Sequence, residues 1–279
     1  MTTIAIFGAG GSMGTRASTR LCGDSEYRVL HVEPSEAGQK KLQARGISVV
    51  EGCQAAAEAD VVIIAVPDKL IARVTADVVP ALKAGAMVIC LDPAAPWGGK
   101  LPPRKDISYF VTHPAHPPVF NDETDPEARK DFFGSGKAKQ AMVSALVQGP
   151  ESDYARGEAI GRKMWGPILR SHRITVEQMA MLEPALTETV AATCVSVVRE
   201  AMDEVVRRGV PHQAAYDFLM GHINIALAIC FDELDWQFSA GCKRAMAEAK
   251  KEIFQPDWKK VLDISAIRES VAKIVGDKE

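Results

Sequence analysis

IAIFGAGGSMG, residues 4–14, is a short apolar run that leads directly into four glycines and then into a helical pattern. Glycines permit positive φ and let the main chain approach a pyrophosphate, and the N–H groups that open the following helix face that anion. The segment therefore predicts the strand–turn–helix start of a dinucleotide-binding Rossmann domain.

The small positions of this motif can be read in two registers. Counting from the first glycine puts a methionine at the third position, with a glycine one residue later. Reading Ala9, Gly11 and Gly14 as the three small positions restores the GxGxxG spacing. In both registers the amides of Ser12, Met13 and Gly14 open the helix, so we expect them to face the cofactor phosphates.

An acidic residue follows the second predicted strand. The run LHVEPS, residues 30–35, puts Glu33 where a carboxylate would accept hydrogen bonds from both ribose hydroxyls. A carboxylate there repels a 2'-phosphate, and no arginine follows directly, so the sequence favours NAD over NADP. Val66, Pro67 and Asp68 end the VVIIAVPD strand at the carboxyl edge, where the nicotinamide half of the cofactor is expected.

Strands and helices alternate over the first two thirds of the chain, which is typical of an α/β fold with a mostly parallel, doubly wound sheet. Seven strands are predicted, at Thr3–Phe7, Arg28–Val32, Val61–Val66, Met87–Leu91, Ile107–Thr112, Met142–Val147 and Ile168–Ile174. Helical patterns alone follow, including Val176–Arg208, Pro211–Phe231, Lys243–Phe254 and Ile264–Val275. We therefore predict a Rossmann domain over residues 1–174 and an all-helical substrate and dimerisation domain over residues 175–279.

Composition excludes several classes of protein. The net charge of −3 and the lack of a basic stripe argue against nucleic acid and membrane surfaces as partners. The start of the chain reads as a strand rather than a signal segment, and six scattered cysteines fit reduced thiols. These features predict a cytoplasmic protein. The stretch Ala214–Phe231 is apolar nearly all round, which predicts a helix covered by a partner subunit in a homodimer, or else the central helix of a monomer.

Two histidines follow the fifth predicted strand. The run THPAHPPVFND, residues 112–122, holds His113 and His116 in a loop that three prolines stiffen. Histidine at the carboxyl edge of such a sheet can act as a general base or as a metal ligand. The alternative is that both imidazoles are satisfied by backbone carbonyls.

Two carboxylates lie in the run MLEPALTE, residues 181–188. Pro184 begins or kinks a helix beside Glu183, which would be a good hard metal ligand if it faced a cleft between the domains. The alternative is that Glu183 lies on an ordinary solvated helix face. The sequence does not distinguish a metal ligand from a solvated carboxylate here. Glu188 follows on the same segment, and Asp92 ends another strand where it could support the site.

These motifs together resemble the superfamily of prephenate, 6-phosphogluconate and β-hydroxyacid dehydrogenases. GAGGSMG, THPAHPPVFND and MLEPALTETVAATC more closely resemble the D-apionate oxidoisomerase family of branched-sugar-acid catabolism. The resemblance implies that NAD takes a hydride from the C2 carbinol of the sugar acid. An acyloin-type rearrangement, assisted by a divalent metal, then yields 3-oxo-isoapionate.

Carried onto this chain, the resemblance implies that His113 and Glu183 bind one divalent ion, zinc or magnesium. His113, His116 and Glu188 are the catalytic candidates. His116 is either a base or a third metal ligand, and whether His116 or Glu188 is the base stays open. Two other functions remain: a simple NAD-dependent dehydrogenase of a small hydroxy acid, and a non-catalytic NAD-sensing protein.

Overall fold

A computed structural model of the protein describes residues 1–276. The described residues form a seven-stranded sheet in the order β2-β1-β3-β4-β5-β6-β7, in which only β5 and β6 pair antiparallel. Each strand overlaps a predicted one, and the predicted fold class is confirmed. The strands are β1 Thr2–Phe7, β2 Tyr27–Val32, β3 Val61–Ile64, β4 Met87–Cys90, β5 Ser108–Pro114, β6 Gln140–Gln148 and β7 Ile168–Arg173.

Helices cover the sheet and make up the later part of the chain. Those of the α/β part are α1 Ser12–Leu21, α2 Glu36–Gln43, α3 Gly52–Glu58, α4 Asp68–Val78, α5 Ala94–Trp97 and α6 Ser152–Trp165. After the sheet come α7 Val176–Ala180, a π-helical segment Met181–Ala192, α8 Thr193–Arg207, α9 His212–Cys230, α10 Ala240–Ile253 and α11 Ile264–Ile274. Single 3-10 turns lie at Val79–Ala81, Ala128–Lys130 and Trp258–Leu262.

Apolar side chains pack on both faces of the sheet. Because successive residues of a strand point to opposite faces, Ile4 and Ile6 belong to one core, while Ala5 and Phe7 belong to the other. The same alternation places Ile63 with the first pair and Ile64 with the second. Burial on both faces explains why the central strands read as continuous apolar runs.

The chain divides into two compact units. The first contains Met1–Pro184 together with the helical segment that starts at Ile267, and the second is Ala185–Ala266. This division differs from the predicted boundary at residue 174 for a packing reason. Met179 and Ala180 are fully buried in the first unit, and so are Ile267 and Val271 of α11.

The second unit leaves much apolar surface exposed. Within the described part of the chain, none of the 19 residues of α9 is buried, and Phe218 is 70% exposed. The helical run Val176–Arg207 is also long and apolar enough to cross a bilayer, by length and composition only, with 11% of its apolar window buried. One such helix is weak support for a membrane span, because core and interface helices have the same composition.

Candidate active site

The glycine turn joins β1 to α1 at the carboxyl edge of the sheet. Gly11 precedes α1 and no side chain caps the helix, so the amides of its first turn point away from the helix without an intrahelical acceptor. Gly14 packs so closely that a Cβ there would lie 2.1 Å from the Gly8 oxygen. Gly14 therefore serves the close packing of helix on strand, while exposed Gly11 and Ser12 border the space that a phosphate would occupy.

Glu33 lies directly beside this turn. Its Oε2 accepts a hydrogen bond from the Gly10 N–H at 2.9 Å, and its Oε1 accepts from the Ser35 N–H at 3.0 Å and the Ser35 hydroxyl at 2.7 Å. The side chain is buried, with 8% of the residue exposed. A carboxylate has about four acceptor positions, so these three bonds leave capacity for a ribose hydroxyl.

A groove of about 490 Å³ extends from the glycine turn across the ends of β1, β2 and β3. Gly8 and Val66 line it, as do Val74 and Val78 of α4 and the residues that open α3, Glu51 to Cys53. Its apolar walls and turn-forming base suit the adenosine half of a dinucleotide. Of the other predicted cofactor residues, Ala9 is buried behind the turn, Met13 is half-buried on α1, and Pro67 precedes α4.

Three side chains of the first unit bring metal-binding atoms together. Ligand atoms of Asp92, His113 and Glu183 all lie within 4.8 Å of one another, and His113 Nε2 is 3.5 Å from Glu183 Oε1. The strand ends of β4 and β5 deliver the first two, and the π-helical segment delivers the third. His113 and Glu183 were predicted to meet across a domain cleft, but both belong to one unit here.

Hydrogen bonds orient two of these groups. His113 Nδ1 lies 2.7 Å from the carbonyl oxygen of Leu91, to which it can only donate, so the neutral ring carries its lone pair on Nε2, toward Glu183. Asp92 Oδ1 accepts from the Ala94 N–H at 2.7 Å. A backbone carbonyl behind an imidazole is the arrangement that usually supports a metal-binding histidine.

The electrostatics of this cluster suit a cation. Burial, and then the charge of Asp68, raise the pKa of Asp92 to about 7. Burial also raises the pKa of Asp68, while nearby His113 opposes the rise. Carboxylates crowded in this way repel one another, and a divalent cation would relieve that repulsion. The donor set, two carboxylates and one imidazole, therefore fits a divalent metal.

His116 lies beside the cluster in an unusual backbone conformation. Its φ of 60° is rare for a residue other than glycine, and its ring centroid is 6.5 Å from that of His113. Nδ1 lies 3.0 Å from the Phe133 carbonyl oxygen, to which it donates, so the neutral ring has Nε2 as its proton-accepting nitrogen. Such strain is often kept at functional sites. Glu188 is exposed in the second unit.

Comparison with known proteins identifies the family. Residues 121–275 match the C-terminal domain of decarboxylating phosphogluconate dehydrogenase, and residues 1–117 match the NADPH-binding domain of acetohydroxy acid isomeroreductase. A D-apionate oxidoisomerase from Cupriavidus necator is 53% identical over 97% of this chain and 98% of its own length. One from Rhizobium rhizogenes is 52% identical over 98% of this chain and all of its own length.

The chain belongs to the D-apionate oxidoisomerase family. A similar solved structure is a semialdehyde dehydrogenase NAD-binding protein from Cupriavidus necator, in complex with calcium and NAD. Its TM-score is 0.95 and its identity 52%, covering 98% of this chain and 99% of that one. Membership confirms the predicted superfamily and the prediction of a dinucleotide-dependent oxidoreductase.

Some residues of the candidate site were not predicted as such from the sequence. Asp92 was assigned only a supporting place, because a single aspartate after a strand carries no ligand spacing. Glu51 and Cys53 of the groove follow a segment without apolar periodicity, so no signal pointed to them. The contact of His116 with Phe133 joins residues 17 positions apart, and no pattern along the sequence reports it.

Proposed function

We propose that the protein is an NAD-dependent D-apionate oxidoisomerase that oxidises its substrate at C2 and rearranges it to 3-oxo-isoapionate. The observation that carries this proposal is the cluster of Asp92, His113 and Glu183 at the sheet edge that also bears the dinucleotide turn. A simple dehydrogenase needs a hydride acceptor and a base, whereas a ketol rearrangement also needs an electrophile that spans two adjacent oxygens. The cluster supports the second chemistry.

NAD would be held by the glycine turn and the groove. Amides of Ser12, Met13 and Gly14 would meet the pyrophosphate, and Glu33 would accept from the adenosine ribose. Val66 lines the groove, and two residues later the Asp68 carboxylate is close enough to His113 for the two groups to interact electrostatically. This supports a position of the nicotinamide half toward the metal-binding cluster. The NAD-bound relative supports the same cofactor.

A divalent cation would be held by His113 and Glu183, with Asp92 as an additional ligand. Three protein ligands leave further positions for substrate oxygens and water, as a catalytic site requires. We propose magnesium or zinc, and the relative solved with calcium supports a divalent ion. When bound, NAD supplies a hydride acceptor, and the cation supplies a Lewis acid for two adjacent substrate oxygens.

The reaction balances in two stages. In the first, the C2 hydroxyl loses its proton and C2 loses a hydride, which gives a 2-oxo acid. In the second, the tertiary C3 hydroxyl loses its proton, and the bond from C3 to one hydroxymethyl group breaks. That electron pair forms a new bond from the hydroxymethyl carbon to C2, and the former carbonyl oxygen at C2 takes up a proton. C3 becomes the new ketone, so the second stage involves no net oxidation.

Proton transfer in these stages needs a base at the site. His116 can be this base, because its Nδ1–H donates to the Phe133 carbonyl oxygen and its Nε2 is then the nitrogen that accepts a proton. Glu188 remains the alternative base, and a carboxylate would serve the same step. His116→Ala and Glu188→Gln distinguish them: the variant of the true base loses turnover by about 10²-fold or more.

The test is product analysis by NMR, with NADH formation followed in parallel. D-apionate and NAD should give NADH and 3-oxo-isoapionate with the parent protein and a divalent ion. Chelation should abolish the rearranged product. His113→Ala should also abolish it and lose bound metal while NAD affinity stays within about twofold. His172→Ala, which removes an exposed histidine of β7, is the matched control and should behave as the parent.

Other products would identify the other functions. NADH with an unrearranged 2-oxo acid would show a simple dehydrogenase. NAD binding without NADH formation on any sugar acid would favour a sensing protein.

We further propose that the enzyme is a soluble, cytoplasmic homodimer without membrane or nucleic-acid partners. The enzyme relatives support solubility. A groove of about 710 Å³ between α8 and α9 has an almost wholly apolar lining, including Val205, Phe218 and Leu219. A second copy of the chain would cover this surface and account for the apolar composition of α9.

A further inference from the structure

Arg16 is a buried cation on α1 that the reaction scheme does not use. Only 6% of the residue is exposed, and among the described residues its three guanidinium nitrogens have no hydrogen-bond acceptor. Burial lowers the pKa of Arg16 to about 10, although the charge of Asp131 opposes the change, so the group remains protonated near neutral pH. A buried charge without a hydrogen-bond acceptor is costly, so other contacts must stabilise it.

Two aromatic rings take the place of hydrogen-bond acceptors. The guanidinium carbon lies 4.8 Å from the centroid of the Phe133 ring and 4.9 Å from that of Trp165. Both distances are within the range of cation–π attraction. Trp165 is fully buried, whereas Phe133 is 42% exposed, so the guanidinium joins a buried ring to a loop residue at the surface. Gly134, at φ +74°, leaves room for this arrangement, since a Cβ there would lie 2.8 Å from Arg16 Nη2.

Phe133 also contacts His116. Its carbonyl oxygen accepts from His116 Nδ1 at 3.0 Å, and the two rings lie 5.6 Å apart between centroids. The Phe133 ring thus contacts both the Arg16 guanidinium and the His116 imidazole, and the Phe133 carbonyl also contacts that imidazole. Any displacement of the Phe133 backbone would move the atom that fixes the tautomer of His116.

The loop around Phe133 is tied together locally. The Asp131 carboxylate accepts from the backbone N–H groups of Ser135, Gly136, Lys137 and Ala138 at 2.6–3.2 Å. These bonds set the shape of the loop but do not connect it to α1. Two arginines of α1 reach the loop: Arg20 lies beside Gly136, and Arg16 contacts Phe133 itself. Arg16 lies one turn after the amides that would meet the cofactor phosphates.

We propose that Arg16 is a positioning residue for His116, acting through Phe133. The proposal rests on the assignment of His116 as the proton acceptor of the proposed reaction. In this arrangement the buried guanidinium fixes the Phe133 ring against α1 and Trp165, and the Phe133 carbonyl then keeps His116 in the tautomer with Nε2 unprotonated.

The test is a double-mutant cycle in the NAD-bound, metal-loaded enzyme. Arg16→Met should lower kcat about tenfold, as expected for a displaced base, and leave the KM for the sugar acid and the Kd for NAD within twofold. In the His116→Ala background, Arg16→Met should cause no further loss. Arg16→Lys should recover part of the rate, because it restores a cation near the rings. Arg162→Met removes an exposed positive charge from α6 and is the matched control.

A spectroscopic measurement separates positioning from a general loss of structure. The ring nitrogens of His116, assigned with His116→Ala, should show one tautomer in the parent and a mixture in Arg16→Met by nitrogen NMR. Phe133→Leu, which keeps the carbonyl but removes the ring, should give the same mixture. This second variant keeps the test decisive if Arg16→Met does not fold.

The outcomes are distinct. If His116→Ala loses turnover while Arg16→Met and Phe133→Leu keep the parental kcat and tautomer, the inference about Arg16 is wrong and the proposed reaction stands. Losses that multiply in the double variant would also overturn it, since independent residues add in free energy. If His116→Ala keeps full turnover, the assignment of His116 as base is wrong, and the inference falls with it.

Discussion

Glu33 has a structural role that its position after β2 did not predict. In addition to the ribose contact that we propose for it, its carboxylate accepts a hydrogen bond from the Gly10 N–H of the glycine turn. A 2'-phosphate would place a second negative charge beside a buried carboxylate, which is unfavourable in a poorly solvated site. We expect NAD to bind at least tenfold more tightly than NADP by calorimetry, a difference of about 1.4 kcal/mol.

The variant Glu33→Gln removes the negative charge of this side chain but keeps its size and shape. It should bind NAD more weakly, because an amide cannot accept hydrogen bonds at both of the oxygen positions that Glu33 uses. The difference between its affinities for NAD and NADP should be smaller than in the parent protein. Glu36→Gln changes an exposed carboxylate on α2 and should alter neither affinity. Equal affinities of the parent protein for NAD and NADP would contradict the prediction.

Individual residues were predictable where they follow a strand. His113 and Glu33 come directly at strand ends, and the carboxyl edge of a parallel sheet collects such side chains. His116 and Arg16 both contact Phe133, which is distant from each of them in sequence. Tertiary contacts of that kind leave no periodic signal along a chain.

Among the elements, the π-helical segment Met181–Ala192 has a direct bearing on the site. It carries Glu183 and contains Pro184, which lacks the N–H that an α-helix would use at that position. π-helical geometry changes the direction in which a side chain leaves the helix axis, and it occurs often at functional sites. We infer that this segment directs the Glu183 carboxylate toward His113.

Pro184→Ala tests that inference. Alanine restores the N–H and favours regular α-helix, so Glu183 should turn away from His113. We expect affinity for magnesium, measured by calorimetry, to fall at least fivefold, while the unfolding temperature stays near that of the parent. Pro211→Ala, which precedes α9 in the second unit, is the control and should leave metal affinity unchanged. Parental metal affinity in Pro184→Ala would argue against the role of the segment.

The sequence was a good guide to elements with strong patterns. All seven strands overlap their predicted ranges. The signal is strongest for central strands such as β3, VVII, where a β-branched apolar run marks a strand that is buried on both faces. The antiparallel pairing of β6 with β5 was not predicted, since the apolar pattern of β6 resembles that of the parallel strands before it. Helix α3, with the sequence GCQAAAE, has too few apolar positions for a helical period and was not predicted.

At the scale of the whole molecule, the exposed apolar surface of the second unit predicts the oligomeric state. Light scattering at micromolar concentration should give the mass of a dimer. Phe218→Glu places a charge on the exposed face of α9 and should weaken the dimer by at least a hundredfold, about 2.7 kcal/mol.

Phe132→Glu makes the same substitution on a loop of the first unit, where the side chain is 79% exposed, and should leave the mass unchanged. A monomeric mass for the parent protein would refute the dimer.

The discontinuity of the first unit has a consequence for biosynthesis. Ile267 and Val271 complete its packing, and Arg268 lies over the Trp97 ring with its guanidinium carbon 4.5 Å from the centroid. A ribosome must therefore translate all of 185–266 after the sheet and before α11 can dock. At about 5–20 residues per second, those residues take roughly 4–16 s. During that interval the nascent first unit lacks α11, so the apolar surface beside Trp97 of α5 stays uncovered and open to chaperone binding.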